Sequence, residues 1–211
     1  PPPPLPPDPP TTDNYPRWYS SAASDVYKRQ AMEQMMKEGI ITAVFDYAMG
    51  EIADATFDAL RASGPERLTV AGKLGLPQVI CPGGSEHLGL LVNEPHKIPA
   101  GWEENLITWH TPYVFVPRLN PEQQDKIAQN IGQRLQHSTK DTVFLMPLKG
   151  VSSYSAEGGE LYNPELDASY WESLQKALPD TIKVEALDYS AEDPAFVEYA
   201  VKTLIELIEK K

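Results

Sequence analysis

The chain has 211 residues, 41% of them hydrophobic and 23% charged, which is enough for one α/β domain with a real core. Lysine and arginine number 18 against 30 acids, a formal net charge of −12, and that balance argues against non-specific binding to nucleic acid or to an anionic membrane. One cysteine excludes a disulfide framework and a cysteine-based zinc cluster, and no apolar run approaches the roughly 20 residues of a membrane helix, so the expected setting is cytoplasmic with no resident metal.

Residues 1–30 differ from the rest. They hold nine of the 21 prolines (Pro1–Pro4, Pro6, Pro7, Pro9, Pro10 and Pro16) and show no period of 2 or 3.6. A polyproline-type leader has that composition. The run Asp25-Val26-Tyr27-Lys28-Arg29-Gln30 also reads as the translation of a transposase adapter used in preparing DNA libraries. The leader is therefore expected to be non-native, with the natural protein continuing upstream, and fold reasoning starts at residue 31.

From there the pattern is regular. Ala31–Glu38 reads as a short helix closed by Gly39, and Ile40–Phe45 as a buried strand. Glu51–Ala62 and Glu66–Leu74 have helical spacing, with Gly64-Pro65 and Gly75 as stops. Pro77–Ile80 is a strand running into Cys81-Pro82-Gly83-Gly84, and Leu106–Trp109 a further one. Gly89–Asn105 is loop-rich, long enough for a flap or an interface arm. Pro121–His137 is a long helix capped by Asn120. Thr142–Met146 is a strand, Pro164–Ala177 a helix, Ile182–Leu187 a strand, and Asp193–Ile208 the last helix, capped by Asp193. Strands alternating with helices predict an α/β domain over residues 31–211, Rossmann-like, with a mostly parallel sheet and helices on both faces.

Open parallel sheets bind ligands beyond the carboxyl ends of their strands. After the first strand, Asp46 and Glu51 are candidates for acid/base work or a ribose contact, or else simple helix-start acids. After the second, Gly83-Gly84-Ser85 precedes a possible helix and offers a nest of N–H groups for an anion. Glu86 is a further acid/base candidate, while its neighbour His87 stands at the wrong spacing for a metal pair. His110 and Arg118 flank an extended segment, with Arg118 either gripping an anion or forming a surface ion pair. After the next strand, Lys149, Gly150 and Ser152 form the best anion-site candidate in the chain.

The segment Pro147–Asp167, PLKGVSSYSAEGGELYNPELD, resembles the signature of an ATP-binding domain family that includes the tomato mosaic virus resistance protein, usually close to PLKGVSALDAPGGPFYDPEAD. Ala31–Gly39, Val44–Asp54, Leu76–Leu88 and His110–Arg118 resemble further family segments in the same order, so the likeness spans residues 31–209. It departs at Tyr47–Gly50, where the family has threonines, at Ser85-Glu86-His87, where it has Leu-Asp-Met, and at Thr111. The resemblance implies a protein of two Rossmann-like subdomains of which this is the second. It also implies ATP, with or without Mg2+, held mostly by the absent first subdomain, and a tendency to homo-oligomers. On that reading the domain contributes anion contacts through Lys149, Gly150, Ser152, Gly83, Gly84, Arg118 and His110, with the missing N-terminal subdomain as partner. The alternative is an enzyme on a small organic acid or phosphorylated metabolite, with Asp46, Glu51 or Glu86 as acid/base. A third is an interaction domain whose strand ends are merely capped loops.

Overall fold

A computed structural model describes residues 31–210, so the expectation for the leader lies outside the described residues. In chain order the elements are α1 (residues 31–37), β1 (Val44–Ala48), α2 (Gly50–Thr56), α3 (Val70–Leu74), β2 (Gln78–Gly83), β3 (Leu90–Leu91), β4 (Ile107–Thr111), β5 (Val114–Pro117), α4 (Pro121–Arg134), β6 (Thr142–Pro147), α5 (Pro164–Ala177), β7 (Lys183–Leu187) and α6 (Pro194–Glu209). Four strands form a parallel sheet in the order β1-β2-β6-β7. The expected α/β architecture is thus present.

The strand order follows the chain order, so every crossover steps the same way and delivers its helix to the same face. Side-chain alternation shows the two faces. Ile80, Phe144 and Met146 turn toward Ile52 of α2, Ile127 and Ile131 of α4, and Tyr170 and Leu174 of α5. Val79, Cys81, Val143 and Leu145 turn the other way, onto Phe196 and Ala200 of α6. This last helix runs back across β6, β2 and β1 and is the helix of that second core. Cys81 lies within it, and burial pushes its thiol well up, so it packs as an apolar residue and offers no reactive thiolate.

Helix starts follow local chemistry. Asn120 and Gln123 form a reciprocal capping box ahead of Pro121, and Asn163 and Asp193 accept from the backbone ahead of Pro164 and Pro194. Other boundaries differ from expectation. The first strand begins at Val44 and not at Ile40, which is 62% exposed and follows the turn at Gly39. The helix expected over 51–62 ends at Thr56, because Asp54 draws the chain back by bonding the N–H of Arg61. Only Val70–Leu74 of the next expected helix is helical.

A second sheet was not foreseen as such: β3, β5 and β4 are antiparallel and fold over the end of the main sheet. Its inner side is aromatic, with Trp109 and Trp102 packed on Phe115 at ring separations of 5.2 and 6.4 Å. The segment leaving β2 joins the two sheets, since Leu88 N–H donates to Pro117 and Leu119 N–H to Glu86. The helix expected after Ser85 is therefore absent; the chain bends at Glu86, and His87 bridges to Arg118 in antiparallel fashion.

Candidate functional site

The carboxyl ends of β1, β2 and β6 meet the second sheet at a cluster of buried charges. At β1, Arg67 binds Asp46 through both terminal nitrogens, with Nη2 to Oδ1 at 2.6 Å, and its Nε takes Glu51 at 2.6 Å. All three side chains are buried. Asp46 and Glu51 are thus turned onto a guanidinium, and the acid/base work expected of them has no open group behind it. The two carboxylates also push the Arg67 guanidinium up against the opposing effect of its burial, so it stays charged.

Asp54 holds a second arginine. Its Oδ2 accepts from both the N–H and Nε of Arg61 at 2.9 Å, and its Oδ1 accepts from the Gly89 N–H. The Arg61 side chain is 35% exposed, and its Nη1 makes no hydrogen bond among the described residues. It lies over bare backbone. A Cβ on Gly50 would meet Nη2 at 3.1 Å and Nη1 at 3.2 Å, with Gly84 O also at 3.1 Å, and one on Gly89 would meet Nε at 3.6 Å. Sequence reading missed both Arg61 and Arg67, whose partners stand 7 to 21 residues away.

Beyond β2, Gly84 adopts φ +68°, a conformation glycine takes without penalty. Its N–H donates to Val151 O and that of Ser85 to Pro82 O, so the nest expected at Gly83-Gly84 has those donors committed. Glu86 is fully buried; its carboxylate accepts from the Ser152 hydroxyl and lies 3.1 Å from His87 Nδ1. Burial pushes the Glu86 carboxyl up, but His87, Arg118 and the Ser152 hydroxyl outweigh it and bring it down to about 2. Tyr154 packs edge-on against the His87 ring at 5.4 Å, and its hydroxyl meets His110 Nδ1 at 3.2 Å.

Arg118 is only 1% exposed, so the surface ion pair considered for it is instead a buried one, Nη2 to Asp167 Oδ1 at 2.6 Å. Burial raises the Asp167 carboxyl, and Arg118 opposes the rise. Arg118 Nε and Nη1 have no partner among the described residues. The structure therefore brings Gly83, Gly84, Glu86, Ser152, His110 and Arg118 into one connected cluster. Lys149 lies at a neighbouring pocket that Asp167, the partner of Arg118, also lines. Its ammonium pairs with Asp188 at 2.9 Å, beside this pocket of ≈ 350 Å3, which Tyr162 and Asp193 also line, and Gly150 turns at φ +110° against Ala156. Among the described residues no group of three or more His, Cys, Asp or Glu is placed to hold a metal, and no helix is long and apolar enough to cross a membrane.

A parallel sheet with a charged cluster at its strand ends defines a Rossmann-like α/β domain. Its family is explicit in the sequence: the profile of the uncharacterised protein family UPF0261 C-terminal domain matches residues 29–208, and the chain belongs to that family. It is similar to a UPF0261 protein of Clostridium tetani, 30% identical over 182 residues that cover 86% of this chain and 45% of that protein. A Rhizobium meliloti UPF0261 protein is 29% identical over 174 residues, covering 82% of this chain and 43% of its own length. The ToMV resistance protein Tm-1(GCR237) of Solanum lycopersicum is 26% identical over 185 residues, 86% of this chain and 24% of that protein. The chain thus spans less than half the length of these curated relatives.

Proposed function

We propose that this domain supplies one wall of a nucleotide-binding site, with the phosphate chain meeting the strand carboxyl ends and a companion domain, as the length of the relatives suggests, closing the other side. The observation that carries this reading is Arg61. Its guanidinium is held by Asp54 yet keeps Nη1 unspent, stands partly in solvent, and lies over the backbone of Gly50, Gly84 and Gly89 where no side chain blocks approach. A planar cation with a free N–H edge beside bare backbone suits a phosphate oxygen. The Ser152 hydroxyl and His110 belong to the cluster that contains Gly84 and add polar contacts. The companion domain adds contacts to ATP and to any Mg2+ it carries, while the phosphate contact at Arg61 is made by this chain alone on this reading.

Thermal shift of this chain with ATP, ADP and tripolyphosphate tests it. Ligand at about ten times its dissociation constant contributes roughly 1.4 kcal/mol, a rise in Tm of about 3–5 °C for a domain of this size. Arg61→Ala should abolish the rise and Lys149→Ala preserve it. No rise with any of the three at saturating concentration overturns the reading.

A further inference from the structure

Glu86 and His87 have a geometry that phosphate contact alone does not use. Enclosing a carboxylate costs several kcal/mol unless its charge is met. Glu86 is enclosed completely, and its Oε2 has no partner among the described residues. What it does touch is the Ser152 hydroxyl and the Nδ1 edge of His87. The Glu86 carboxylate lies 3.1 Å from Nδ1, a charge contact in which Nδ1 itself makes no hydrogen bond among the described residues, and a carboxylate so placed favours positive charge on the imidazole.

The other edge of His87 is the open one. Its Cε1 lies 3.7 Å from where a Cβ on Gly84 would stand, and nothing else stands within 4 Å of that point. Nε2 makes no hydrogen bond to a described residue and, unlike Nδ1, is not enclosed. Tyr154 holds the ring edge-on, and its hydroxyl meets the exposed His110. On the far side of Gly84 stands Arg61, since the Gly84 carbonyl and both terminal nitrogens of Arg61 converge on the same face of Gly50. An anion held by Arg61 therefore sits across one glycine from an imidazole backed by a buried carboxylate.

We infer that His87 is a general base that activates water for hydrolysis of a phosphoric ester or anhydride held at Arg61, with Glu86 as its positioning residue. This rests on the phosphate-binding reading above. The water oxygen forms a bond to phosphorus as the bridging P–O bond breaks. The water proton passes to His87 Nε2, the leaving oxygen departs with the electron pair of the broken bond, and His87 then returns the proton to it. No oxidant or co-substrate besides water is required.

All of this machinery lies in the present chain, so the chain itself is the test object. Phosphate or nitrophenolate release from ATP, ADP and p-nitrophenyl phosphate, with Mg2+ supplied, is followed beside calorimetric ATP binding. His87→Ala should lose about 100-fold or more. Glu86→Gln should lower kcat while leaving KM for the probe little changed, and Glu86→Asp should recover part of the loss; a merely structural Glu86 would move stability without this split. If Glu86→Gln does not fold, Glu86→Asp carries the same test, and an unchanged kcat would overturn the positioning role. ATP binding that Arg61→Ala abolishes, without release from any probe, overturns this inference alone. Absence of both binding and release overturns it together with the nucleotide reading, and release that His87→Ala leaves intact also overturns it.

Discussion

Arg67 is clasped by Asp46 across 21 residues of sequence, with Nη1 on Oδ2 and Nη2 on Oδ1, and both side chains are buried. The pair pins the loop before α3 to the end of β1, and Glu51 on the Nε of the same arginine pins the first turn of α2. Removing the arginine would leave the buried Asp46 carboxylate without its guanidinium. Arg67→Met should therefore cost about 3–5 kcal/mol, read as a lower denaturation midpoint in urea. Replacing Asp46 and Glu51 by Asn and Gln in the same chain should recover much of the loss. Equal stability of wild type and Arg67→Met would show that the cluster does not hold these elements together.

Glu86 sets a pH dependence. Its carboxyl is held at about 2 in the fold against an ordinary value of 4.5. A lowered carboxylate contributes stability that is complete above its unfolded value and is lost as pH falls through the folded one. The domain should therefore lose roughly 3 kcal/mol between about pH 4.5 and 2 from this group. Glu33 acts in the opposite sense: burial raises its carboxyl, so it favours the fold on the acid side of its titration and opposes it as pH rises. Denaturation midpoints of wild type and Glu86→Gln, compared through the acid range, check the larger effect; parallel curves would remove Glu86 as its source.

Gly132 sits where α4 crosses α5, and a Cβ there would run into the Ala177 carbonyl. Gly→Ala inside a helix ordinarily stabilises by about 1 kcal/mol. Here the sign should reverse, with Gly132→Ala costing about 1–3 kcal/mol as the helices are forced apart. Calorimetry gives the sign directly.

The Lys149–Asp188 pair is exposed on both sides, with side-chain exposures of 59% and 79%. Lys149→Ala should change stability by less than about 0.5 kcal/mol. Its thermal response to ATP should match that of the wild type if Arg61 is the anion contact.

How much of this is legible in the chain depends on how far each interaction reaches. Asn120-Pro121, Asn163-Pro164 and Asp193-Pro194 announce their helices because cap and first turn are chemically complete within four residues. The apolar run at Ile40–Ile41 misled, since periodicity cannot distinguish a buried strand from the exposed stretch after a glycine turn. The antiparallel sheet hid because Leu90–Leu91 is two residues long and its pairing with β5 spans an irregular loop. Gly84, Glu86 and Ser152 were visible as strand-end residues, as the parallel fold requires, and Arg118 as a residue flanking an extended segment. Arg61 and Arg67 were not: an isolated arginine after a helix reads as solvent-facing, and only the folded chain brings Asp54, Asp46 and Glu51 onto it.

The chain lays its strands side by side in the order of synthesis, but the helix that covers the second face follows all four of them. Until residues 194–209 have emerged and folded back, Val79, Cys81, Val143 and Leu145 form an apolar plane open to water. During translation the domain therefore passes through a stage with one finished face and one adhesive face, the kind of surface that chaperones bind and that aggregates nucleate on. A chain interrupted before residue 194 would be a product with that face still open. The Cys81 thiol, reactive in that product and shielded in the finished domain, would report the moment of closure.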